Sequence, residues 1–465
     1  MRIKLNQEST KTSITENKMG TMPVGKLLFN MSLPMMVSML VQALYNIVDS
    51  IFVAKLSENA LTAVSLAFPL QTLLIAVGSG TGVGMNALLS KSLGEKNTDK
   101  ANQTAANAAV LYLLSYIVFL ILGFTVVKPF YLSQIGEADR EIMEMGIDYL
   151  STVMIFSFGL FAQFFFERLL TSTGKTIFSM ISQLSGALTN IILDPILIFG
   201  LFGAPRMGVT GAAVATVIGQ CVSGVVAAVC NFKYNHEVEL TFSGYRPDGK
   251  IIGTIYAVGV PSIIMQSIGS IMTYSMNRIL IAFSSTATAV FGVYFKLQSF
   301  FFMPLFGLNN GITPIIAYNY GARKRKRMMQ TIKLSMIVAF CLTFVGFVCF
   351  EAIPQALLGL FEASADMLTI GIPALRIIGV HYLIAWFCIV SGTVFQALGK
   401  AIFSMVVSIM RQLFALIPAA YILSKLGGLH AVWWAFPIAE LMSLAVSLIF
   451  LVHIYKTIIK KLPED

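Results

Sequence analysis

The sequence predicts an all-α polytopic membrane protein, with twelve transmembrane helices in two pseudo-twofold-related six-helix bundles around a central cleft. Three observations predict this fold: the composition, the spacing of apolar segments and an internal duplication. Of 465 residues, 57% are hydrophobic and only 12% are charged, whereas about 25% are charged in a typical soluble domain. A soluble chain of this composition would have too little polar surface to present to water.

Long apolar segments separated by short polar breaks recur along the chain. Each is long enough to cross about 30 Å of hydrocarbon as a helix. The first 25 positions are mostly polar, and the first apolar segment is too long for the core of a cleavable signal peptide. The predicted spans are 26–54, 60–89, 102–127, 142–166, 177–201, 208–232, 253–282, 288–317, 331–351, 367–396, 402–424 and 430–456.

The distribution of Lys and Arg predicts the orientation. With the N-terminus inside, 23 of the 32 Lys and Arg residues fall in inward-facing segments or span ends, and five fall in outward-facing ones. This positive-inside bias predicts two cytoplasmic termini in a bacterial cytoplasmic membrane. The basic run at 322–327 lies in a short loop between spans, so topology explains its charge and we expect no nucleic-acid partner.

The two halves of the chain repeat each other. An offset of 225 aligns "GKTIFSM" (174–180) with "GKAIFSM" (399–405). Earlier in the chain an offset of 227 pairs Pro34 with Pro261, Gln71 with Gln298, Gly84 with Gly311, and Gly94 with Gly321. Each half has six spans, so both halves enter the membrane in the same sense. Transporters built in this way place their site between the halves, near the bilayer midplane.

The duplication and the polar breaks together predict the domain organisation. The segment that joins the two halves is polar, rich in turn residues and cytoplasmic. The predicted units are an N-terminal tail (1–25), a first lobe (26–232), a linker (233–252), a second lobe (253–456) and a C-terminal tail (457–465).

Two aspartates inside apolar spans are the main candidate functional residues. Asp49 lies in "YNIVDSIF" of the first span, and Asp194 lies in "NIILDPILIFG" of the fifth. On the predicted boundaries each lies about 9–10 Å from the outer end of its helix. A carboxylate at mid-span costs roughly 2.5–3.5 kcal/mol on insertion scales, so it needs a partner, a cavity or neutralisation. Repulsion between two acids at one depth favours the uptake of a proton or a cation.

Polar neighbours accompany both acids. Gln42, Asn46 and Asp49 share one helix face, and Asn190 lies one turn before Asp194. Thr216 on the sixth span reaches a similar depth, about 12 Å from the outer end. Oxygen atoms of Asp49, Asn190, Asp194 and Thr216 would suit Na⁺, and H⁺ is the alternative coupling ion. In the other interpretation, each polar residue only hydrogen-bonds to a neighbouring helix.

Pro195 directly follows the second acid. A proline has no N–H and disturbs the hydrogen bond to the carbonyl four residues earlier, here that of Ile191. That oxygen is then free to bind a ligand, or the helix bends at this point.

The second half does not repeat this site. The positions equivalent to the four oxygen donors are all apolar: Met276, Ala415, Ala419 and Ile438. The candidate cation site is therefore expected in the first half only.

Other charged residues lie within or near the spans. Lys296, Arg376 and Glu440 lie about 12–15 Å from an outer end, and either a structural Lys–Glu pair or a role in transport would explain them. With Gln42, Asn46 and Gln266 they are candidate supporting or substrate-cleft residues. Glu167, near the cytoplasmic end of its span, is expected to be solvated.

Other motifs give no sign of catalysis. The run "GSGTGVG" (78–84) lacks the GK[ST] ending of a phosphate loop, so its small residues predict close helix approach. The chain shows no nucleophile–base arrangement. We expect neither an enzyme nor a cofactor, apart from Na⁺ or H⁺ as coupling ion.

Four stretches resemble one transporter family: "SLPMMVSMLVQALYNIVDSIFVA", "GVGMNALLSKSLGEKN", "NIILDPILIFG" and "GAAVAT". The chain resembles the multidrug and toxic compound extrusion (MATE) family over about residues 20–460, in its bacterial DinF-related and MepA-like branch. The resemblance implies two bundles around a V-shaped cleft. It also implies multidrug efflux, and hence antibiotic resistance, by export of small organic compounds against Na⁺ or H⁺.

The resemblance also implies site residues. In the family an acid on the first helix, an Asn/Asp pair on the fifth and a threonine on the sixth form a cation site; these correspond to Asp49, Asn190, Asp194 and Thr216. NorM-like relatives use acids on the seventh and tenth helices. This sequence has Gln266 near the first of those regions and no acid within 367–396, which argues against a cation site in the second lobe.

The sequence therefore predicts a monomeric antiporter that works by alternating access in lipid and exports a cationic or amphipathic organic substrate. The alternative is a flippase for lipid-linked precursors, which would need a basic cleft; Lys296, Arg376 and Arg411 are its candidates. A scaffold or receptor would not need mid-span acids in one half only.

Overall fold

The computed structural model describes residues 17–135, 139–241, 246–361 and 363–463. Most of the predicted N-terminal tail, residues 242–245 of the linker and the last two residues lie outside this part. The described residues form helices joined by short turns, and they contain no β-strand. Ten helices are long and apolar enough to cross a membrane, and there are twelve if each of two bent pairs forms one span. The predicted all-α membrane fold is confirmed.

The candidate spans are numbered α1 to α12, and the two bent spans have parts a and b. The first half contains Val24–Ala54 (α1), Glu58–Gly94 (α2), Thr98–Thr125 (α3), Arg140–Ile155 (α4a), Phe158–Ser172 (α4b), Thr176–Phe199 (α5) and Val209–Tyr234 (α6). The second half contains Gly249–Ile281 (α7), Ser285–Gly321 (α8), Arg325–Ala352 (α9), Ala365–Gly379 (α10a), Tyr382–Ala397 (α10b), Ala401–Leu426 (α11) and Ala435–Thr457 (α12). Short helices lie at Lys18–Thr21, Val127–Ile135, Pro354–Gly359 and Gly428–Val432.

The fourth and tenth spans are bent, whereas the sequence predicts single spans at 142–166 and 367–396. The bends are 43° between α4a and α4b and 50° between α10a and α10b. At each bend the backbone closes i→i−3 hydrogen bonds: Ser157 N–H donates to Met154 at 3.3 Å, and His381 N–H donates to Ile378 at 3.0 Å. Such a tighter turn interrupts the i→i−4 ladder and redirects the axis. The break comes from backbone bonding that hydrophobic periodicity does not encode.

Helix α11 contains a π-helical segment at Met410–Leu416. Pro418 follows it, and a proline ring clashes with the carbonyl four residues earlier, here that of Phe414. The wider π turn gives room for that carbonyl, and single π turns often occur at functional positions. Arg411 and Gln412 lie in this segment.

The internal duplication is visible in the backbone. Gly174 and Gly399, which are 225 positions apart, have φ angles of 85° and 74°. Lys96 and Arg323, which are 227 positions apart, have φ angles of 57° and 58°. Left-handed backbone is uncommon for residues other than glycine, so the shared conformation at Lys96 and Arg323 shows two copies of one turn.

Each half has its own hydrophobic core, but the first helix of each half begins in the opposite core. Leu27 and Met31 of α1 belong to the core that Tyr294, Phe350 and other residues of the second half build. Ile251 and Ile255 of α7 belong to the first-half core. Further along, α1 also packs against α5 of its own half. This course brings the C-terminal part of α1, with Asp49, beside the helix that carries Asp194.

Duplicated glycines allow the halves to pack backbone against backbone. A Cβ atom on Gly84 of α2 would lie 2.1 Å from the carbonyl oxygen of Ile255 in α7. One on Gly311 of α8 would lie 2.6 Å from the Cα atom of Ser32 in α1. No side chain fits at either crossing. The predicted close helix approach of the "GSGTGVG" run is confirmed.

Candidate functional site

Asp49 and Asp194, on α1 and α5, come together in the folded chain. Their carboxyl groups lie close enough to interact, and a hydrogen bond can form between them when one of them is protonated. Asp194 is 0% exposed, and Asp49 is partly buried. Ionised carboxylates only accept hydrogen bonds, so a bond between the two groups requires one proton shared by the pair. Without that proton or another cation, two negative charges would face each other in a site of low dielectric constant.

Asn190 and Thr216 join the same group. The Asn190 side-chain Nδ2 donates to Asp194 Oδ1 at 3.3 Å and to Thr216 Oγ1 at 3.4 Å. Asn190 is buried, at 2% exposure, because it faces α6 one turn before Asp194. One amide thus connects the acid on α5 with the hydroxyl on α6. The structure brings together all four residues predicted for the cation site.

Several buried oxygen atoms in this group have no hydrogen-bond partner among the described residues. They are Asp49 Oδ1, Asp194 Oδ2 and Asn190 Oδ1. A buried acceptor without a donor costs about 1–3 kcal/mol, and more when it is charged. Among the described residues, neither aspartate forms a salt bridge with a basic side chain. Unsatisfied oxygens of carboxyl and amide groups fit a small hard cation.

Two tyrosines border the acid pair. Tyr45 of α1 and Tyr149 of α4a both lie within electrostatic range of Asp49 and Asp194. Gln71 of α2 donates from Nε2 to the hydroxyl of Tyr149 at 3.0 Å. Helices α2 and α4a thereby form part of the wall around the pair. Neither tyrosine was singled out from the sequence, since aromatic residues are frequent throughout the spans.

A cavity of about 100 Å³, partly open to the surroundings, adjoins the pair; the first half provides most of its wall, and Asn310 of the second half also lines it. Helices α1, α4b, α5 and α6 provide most of its wall. Its apolar residues include Met35, Met39, Leu160 and Phe164. Its polar residues include Gln42, Gln163, Glu167, Arg168, Gln183 and Gln220, and Asn190 and Thr216 lie at the end next to the acid pair.

The expectation that Glu167 is a solvated head group is wrong. Glu167 is only 4% exposed, and its Oε1 accepts from Gln163 at 3.0 Å, Ser182 at 3.0 Å and Ser223 at 3.2 Å. Its Oε2 accepts from Gln183 at 2.9 Å. The helix extends to Ser172, so Glu167 lies inside the bundle. The polar pair at 182–183 in the next span was the signal that could have indicated a buried partner.

The remaining first-half candidates, Gln42 and Asn46, and Gln266 of the second half contribute less to this group. Gln42 lines the cavity, whereas Asn46 is exposed and is not part of the cavity wall. Gln266 of α7 is exposed and donates from Nε2 to Ser79 of α2 at 2.9 Å. It connects the two halves and does not approach the acid pair. Of the three residues on this face of α1, Gln42 lines the cavity and Asp49 belongs to the acid pair, whereas Asn46 takes part in neither.

A Lys–Glu pair, one of the two explanations for the charges of the second half, is not formed among the described residues. Glu440, at 2% exposure, lies 3.3 Å from Arg411 of the π-helical segment. Lys296 is exposed, with its Nζ atom 5.8 Å from the ring centroid of Phe361. Arg376 is also exposed and donates to the backbone oxygen of Glu351 at 3.3 Å. The three charges do not form one group, and the partner of Glu440 is Arg411 instead.

The duplicated helical bundles, with an acid pair and a cavity in one of them, define an integral membrane protein with the architecture of a transporter. A family model described as MatE matches residues 34–196 and 261–422, one segment in each half. The chain belongs to the MatE family.

Curated relatives match over most of their length. The multidrug export protein MepA of Staphylococcus haemolyticus (strain JCSC1435) is 29% identical over 426 residues, which cover 89% of this chain and 90% of that protein. MepA of Staphylococcus aureus (strain MSSA476) is 27% identical over 431 residues, covering 92% of this chain and 93% of the relative.

Solved structures share the fold. One is described as the outward-facing conformation of a multidrug resistance MATE family transporter of the MOP superfamily. It is 25% identical, with a TM-score of 0.90, and the match covers 96% of this chain and 99% of that one. A MATE structure in complex with MaL6 is 26% identical, with a TM-score of 0.88 and coverage of 96% and 99%.

Proposed function

We propose that the protein is a secondary antiporter for multidrug efflux, which exports small cationic or amphipathic organic compounds in exchange for Na⁺ or H⁺. One observation carries the proposal: the buried Asp194 and the partly buried Asp49 lie side by side on separate helices. Neither forms a salt bridge with a basic side chain of the described residues, and each has a buried oxygen without a hydrogen-bond partner there. Such a pair needs an added positive charge. The MepA relatives, which are named as multidrug exporters, support the class of substrate.

Ion binding couples to helix position through this pair. With a proton or Na⁺ bound, Asp49 and Asp194 attract the same charge, and α1 and α5 stay together. Without it, the two carboxylates repel each other and favour an arrangement in which α1 moves away from α5. One charge crossing 100 mV supplies about 2.3 kcal/mol, enough for roughly forty- to fifty-fold accumulation.

The adjoining cavity is the proposed binding site for the organic substrate. Its volume of about 100 Å³ is below the roughly 300–1,000 Å³ of ligand pockets, so a drug-sized substrate requires the cavity to widen as the lobes move. Met35, Met39 and Phe164 offer a polarizable apolar surface that adapts to different shapes. The substrate shares the cavity end at Asn190 and Thr216 with the ion site, so occupation of one site affects the other.

Alternating access follows from movement of the halves 26–232 and 253–456 as two lobes joined by the linker 233–252. The lobes meet through α1, α2, α7 and α8. Glycines at these helix crossings allow the backbones to lie in direct contact. In this proposal both termini are cytoplasmic, and the protein acts as a monomer in the bacterial cytoplasmic membrane.

The flippase alternative has no observation in its favour. A lipid phosphate would need several basic side chains on one surface. Arg411 pairs with Glu440, Arg376 binds a backbone oxygen at the end of α9, and Lys296 lies over Phe361. These three side chains do not line a common cleft.

The test is ethidium transport in membrane vesicles under separately imposed Na⁺ and H⁺ gradients. The native protein is expected to transport ethidium in at least one arm, and Asp194→Asn is expected to show background transport in both. Immunoblotting of the vesicles shows that both proteins insert equally. Full gradient-driven transport by the variant would contradict the proposed ion site.

A further inference from the structure

Glu167 is a buried acid that the proposed exchange does not yet use. No basic side chain of the described residues forms an ion pair with it. The neighbouring Arg168 instead donates to Asn310 of α8 at 3.0 Å. Neutral groups from three helices surround the carboxylate: Gln163 of α4b, Ser182 and Gln183 of α5, and Ser223 of α6.

Polar stripes on two helices lead from Glu167 to the acid pair. On α5 the cavity wall contains Ser179, Gln183 and Asn190, at a spacing that places them on one face. On α6 the facing wall contains Thr216, Gln220 and Ser223. Gln183 and Asn190 are seven residues apart, about 10 Å along the helix axis. Both ends of the path therefore border the same cavity.

Oxygen atoms without donors occur along this path. They are Ser179 Oγ, Gln183 Oε1, Gln220 Oε1 and Asn190 Oδ1. Ser179 and Asn190 are 0% and 2% exposed, so bulk solvent does not satisfy their oxygens. A row of buried acceptors is suited to a positively charged occupant, such as Na⁺ or a protonated water chain.

On this basis, and granting the proposed antiport, we propose that Glu167 is a second cation station, which receives Na⁺ or H⁺ from Asp49 and Asp194 on its way to the cytoplasm. The path runs inside the first half, along the α5 and α6 stripes, rather than through the cleft between the halves. On the predicted orientation Glu167 lies near the cytoplasmic end of α4b, five residues before Ser172, or about 7 Å.

The hydrogen bonds at Glu167 allow this exchange. Its Oε1 lies within hydrogen-bonding distance of Gln163, Ser182 and Ser223, although a carboxylate oxygen has only two lone pairs. The single proton of the Ser182 hydroxyl can instead go to the carbonyl oxygen of Ser179, 2.9 Å away. When a proton arrives, the new O–H donates, and the hydroxyl of Ser182 or Ser223 turns from donor to acceptor. Departure of the proton to the cytoplasm restores the original arrangement. Arg168 beside it and Tyr112 of α3 are the ionisable groups within electrostatic range.

The experiment compares two rates in proteoliposomes of the full chain, with radiolabelled ethidium as probe. One is net transport driven by an imposed gradient, with Na⁺ and H⁺ in separate arms. The other is ethidium–ethidium exchange at equal ion concentrations, which does not require the ion to leave. In Glu167→Gln the ratio of net transport to exchange is expected to fall about tenfold or more. Glu167→Asp is expected to restore much of the ratio, with a shifted pH profile.

Asn231→Ala is the structural control. Asn231 is equally buried and ties α6 to the Phe166 carbonyl of α4b at 2.8 Å, but it does not line the cavity. This variant is expected to lower both rates together and leave their ratio unchanged. If Glu167→Gln also lowers both rates together, Glu167 has a structural role. If the variant loses ethidium binding, Glu167 binds the substrate. Either result would contradict the proposal that Glu167 is a second cation station.

Asp194→Asn, measured in parallel, tests the proposed function by itself. Full net transport by Asp194→Asn would contradict the proposed ion site. Full net transport by Glu167→Gln, with transport lost in Asp194→Asn, would contradict only the proposal that Glu167 is a second cation station.

Discussion

The two halves of this duplicated protein treat buried acids in opposite ways. In the first half Asp49 and Asp194 lie side by side, and no basic side chain of the described residues pairs with them. In the second half Glu440 lies 3.3 Å from Arg411. The positions equivalent to the acid pair are apolar there, and Met276 is fully buried in the second-half core. The scaffold was duplicated, but the acid pair was not.

The difference separates two uses of a charge inside a membrane. Glu440 has its own counter-charge, so it needs no ion from outside. The pair in the first half lacks a counter-charge and depends on one that arrives and leaves. A buried ion pair is costly to break but is weak evidence for net stability, whereas an unbalanced acid pair is expected to be functional.

The largest expected effect is the loss of coupling in the first half. Asp49→Asn and Asp194→Asn each remove the need for an added cation. The accumulation ratio under a 100 mV potential is expected to fall by roughly forty- to fifty-fold, to no accumulation. Ethidium accumulation in proteoliposomes measures this ratio.

The double variant tests whether the two acids form one site. Because either single change already removes coupling, Asp49→Asn with Asp194→Asn should be no worse than each alone. Additive losses would indicate two independent sites and would contradict the conclusion that the first half holds a single acid-pair site.

The next effect is on stability in the second half. Arg411→Gln leaves Glu440 buried without its partner and is expected to destabilise the fold by about 1–3 kcal/mol, since Arg411 is partly exposed. Arg411→Gln with Glu440→Gln should recover most of the loss. Thermal unfolding in detergent measures both. A large loss of ion coupling in the double variant, with normal stability, would assign this pair to transport.

A smaller effect is expected from the hydroxyl at the edge of the ion site. Thr216→Val removes one hydrogen bond from Asn190 and one oxygen from the group while keeping the shape of the side chain. A hydrogen bond contributes about 0.5–1.5 kcal/mol, which corresponds to roughly a three- to tenfold higher half-saturating ion concentration. The ion dependence of initial transport rates measures it. Ile438→Ala, at the equivalent position of the second half, is the control and should leave the ion dependence unchanged.

The smallest effect concerns the duplicated turns that begin at Gly174 and Gly399. Lys175, in the first-half turn, lies 3.9 Å from Glu237, whereas the equivalent Lys400 is exposed and forms no salt bridge with a described residue. Burial raises the pKa of Glu237 above its ordinary value of 4.5, although Asn17, Lys175 and Lys18 act to lower it.

The sign of the pH effect follows from that shift. A raised pKa means that the folded state binds the proton more tightly than the unfolded state. Stability from Glu237 is therefore present at low pH and is lost as pH rises above 4.5 through the raised pKa. Thermal unfolding from pH 4 to pH 7 should show a flatter pH dependence in Glu237→Gln than in the native protein, by less than about 1 kcal/mol. Lys400→Ala should not change the slope, and an unchanged slope in Glu237→Gln would show that Glu237 does not contribute.

Several features could be predicted from residues alone because they depend on local composition or short spacing. Apolar length predicted the spans, and Asn190 with Asp194 could be placed on one face because four residues make about one helical turn. The repeated "GKTIFSM" and "GKAIFSM" turns share a left-handed glycine. The depth estimate for Asp49 and Asp194 also brought them to one level, which is necessary for contact but does not show that they face each other.

Other features depend on contacts between distant segments. The sequence placed an acid, Glu440, within a span but did not show which basic residue faces it, because its partner Arg411 lies 29 positions earlier on another helix. It placed Glu167 near a helix end, where solvation is usual, because hydropathy does not show that Ser182, Gln183 and Ser223 surround that position.

By itself, the sequence determined the all-α membrane fold, the duplication and the restriction of the candidate ion site to one half, since each follows from periodicity, length or residue type. Only the tertiary structure decided that α1 begins in the opposite core and then reaches α5, that Arg411 neutralises Glu440, and that Glu167 shares a cavity with Asn190. These depend on helix rotation and crossing, which are set by packing between residues far apart in the chain.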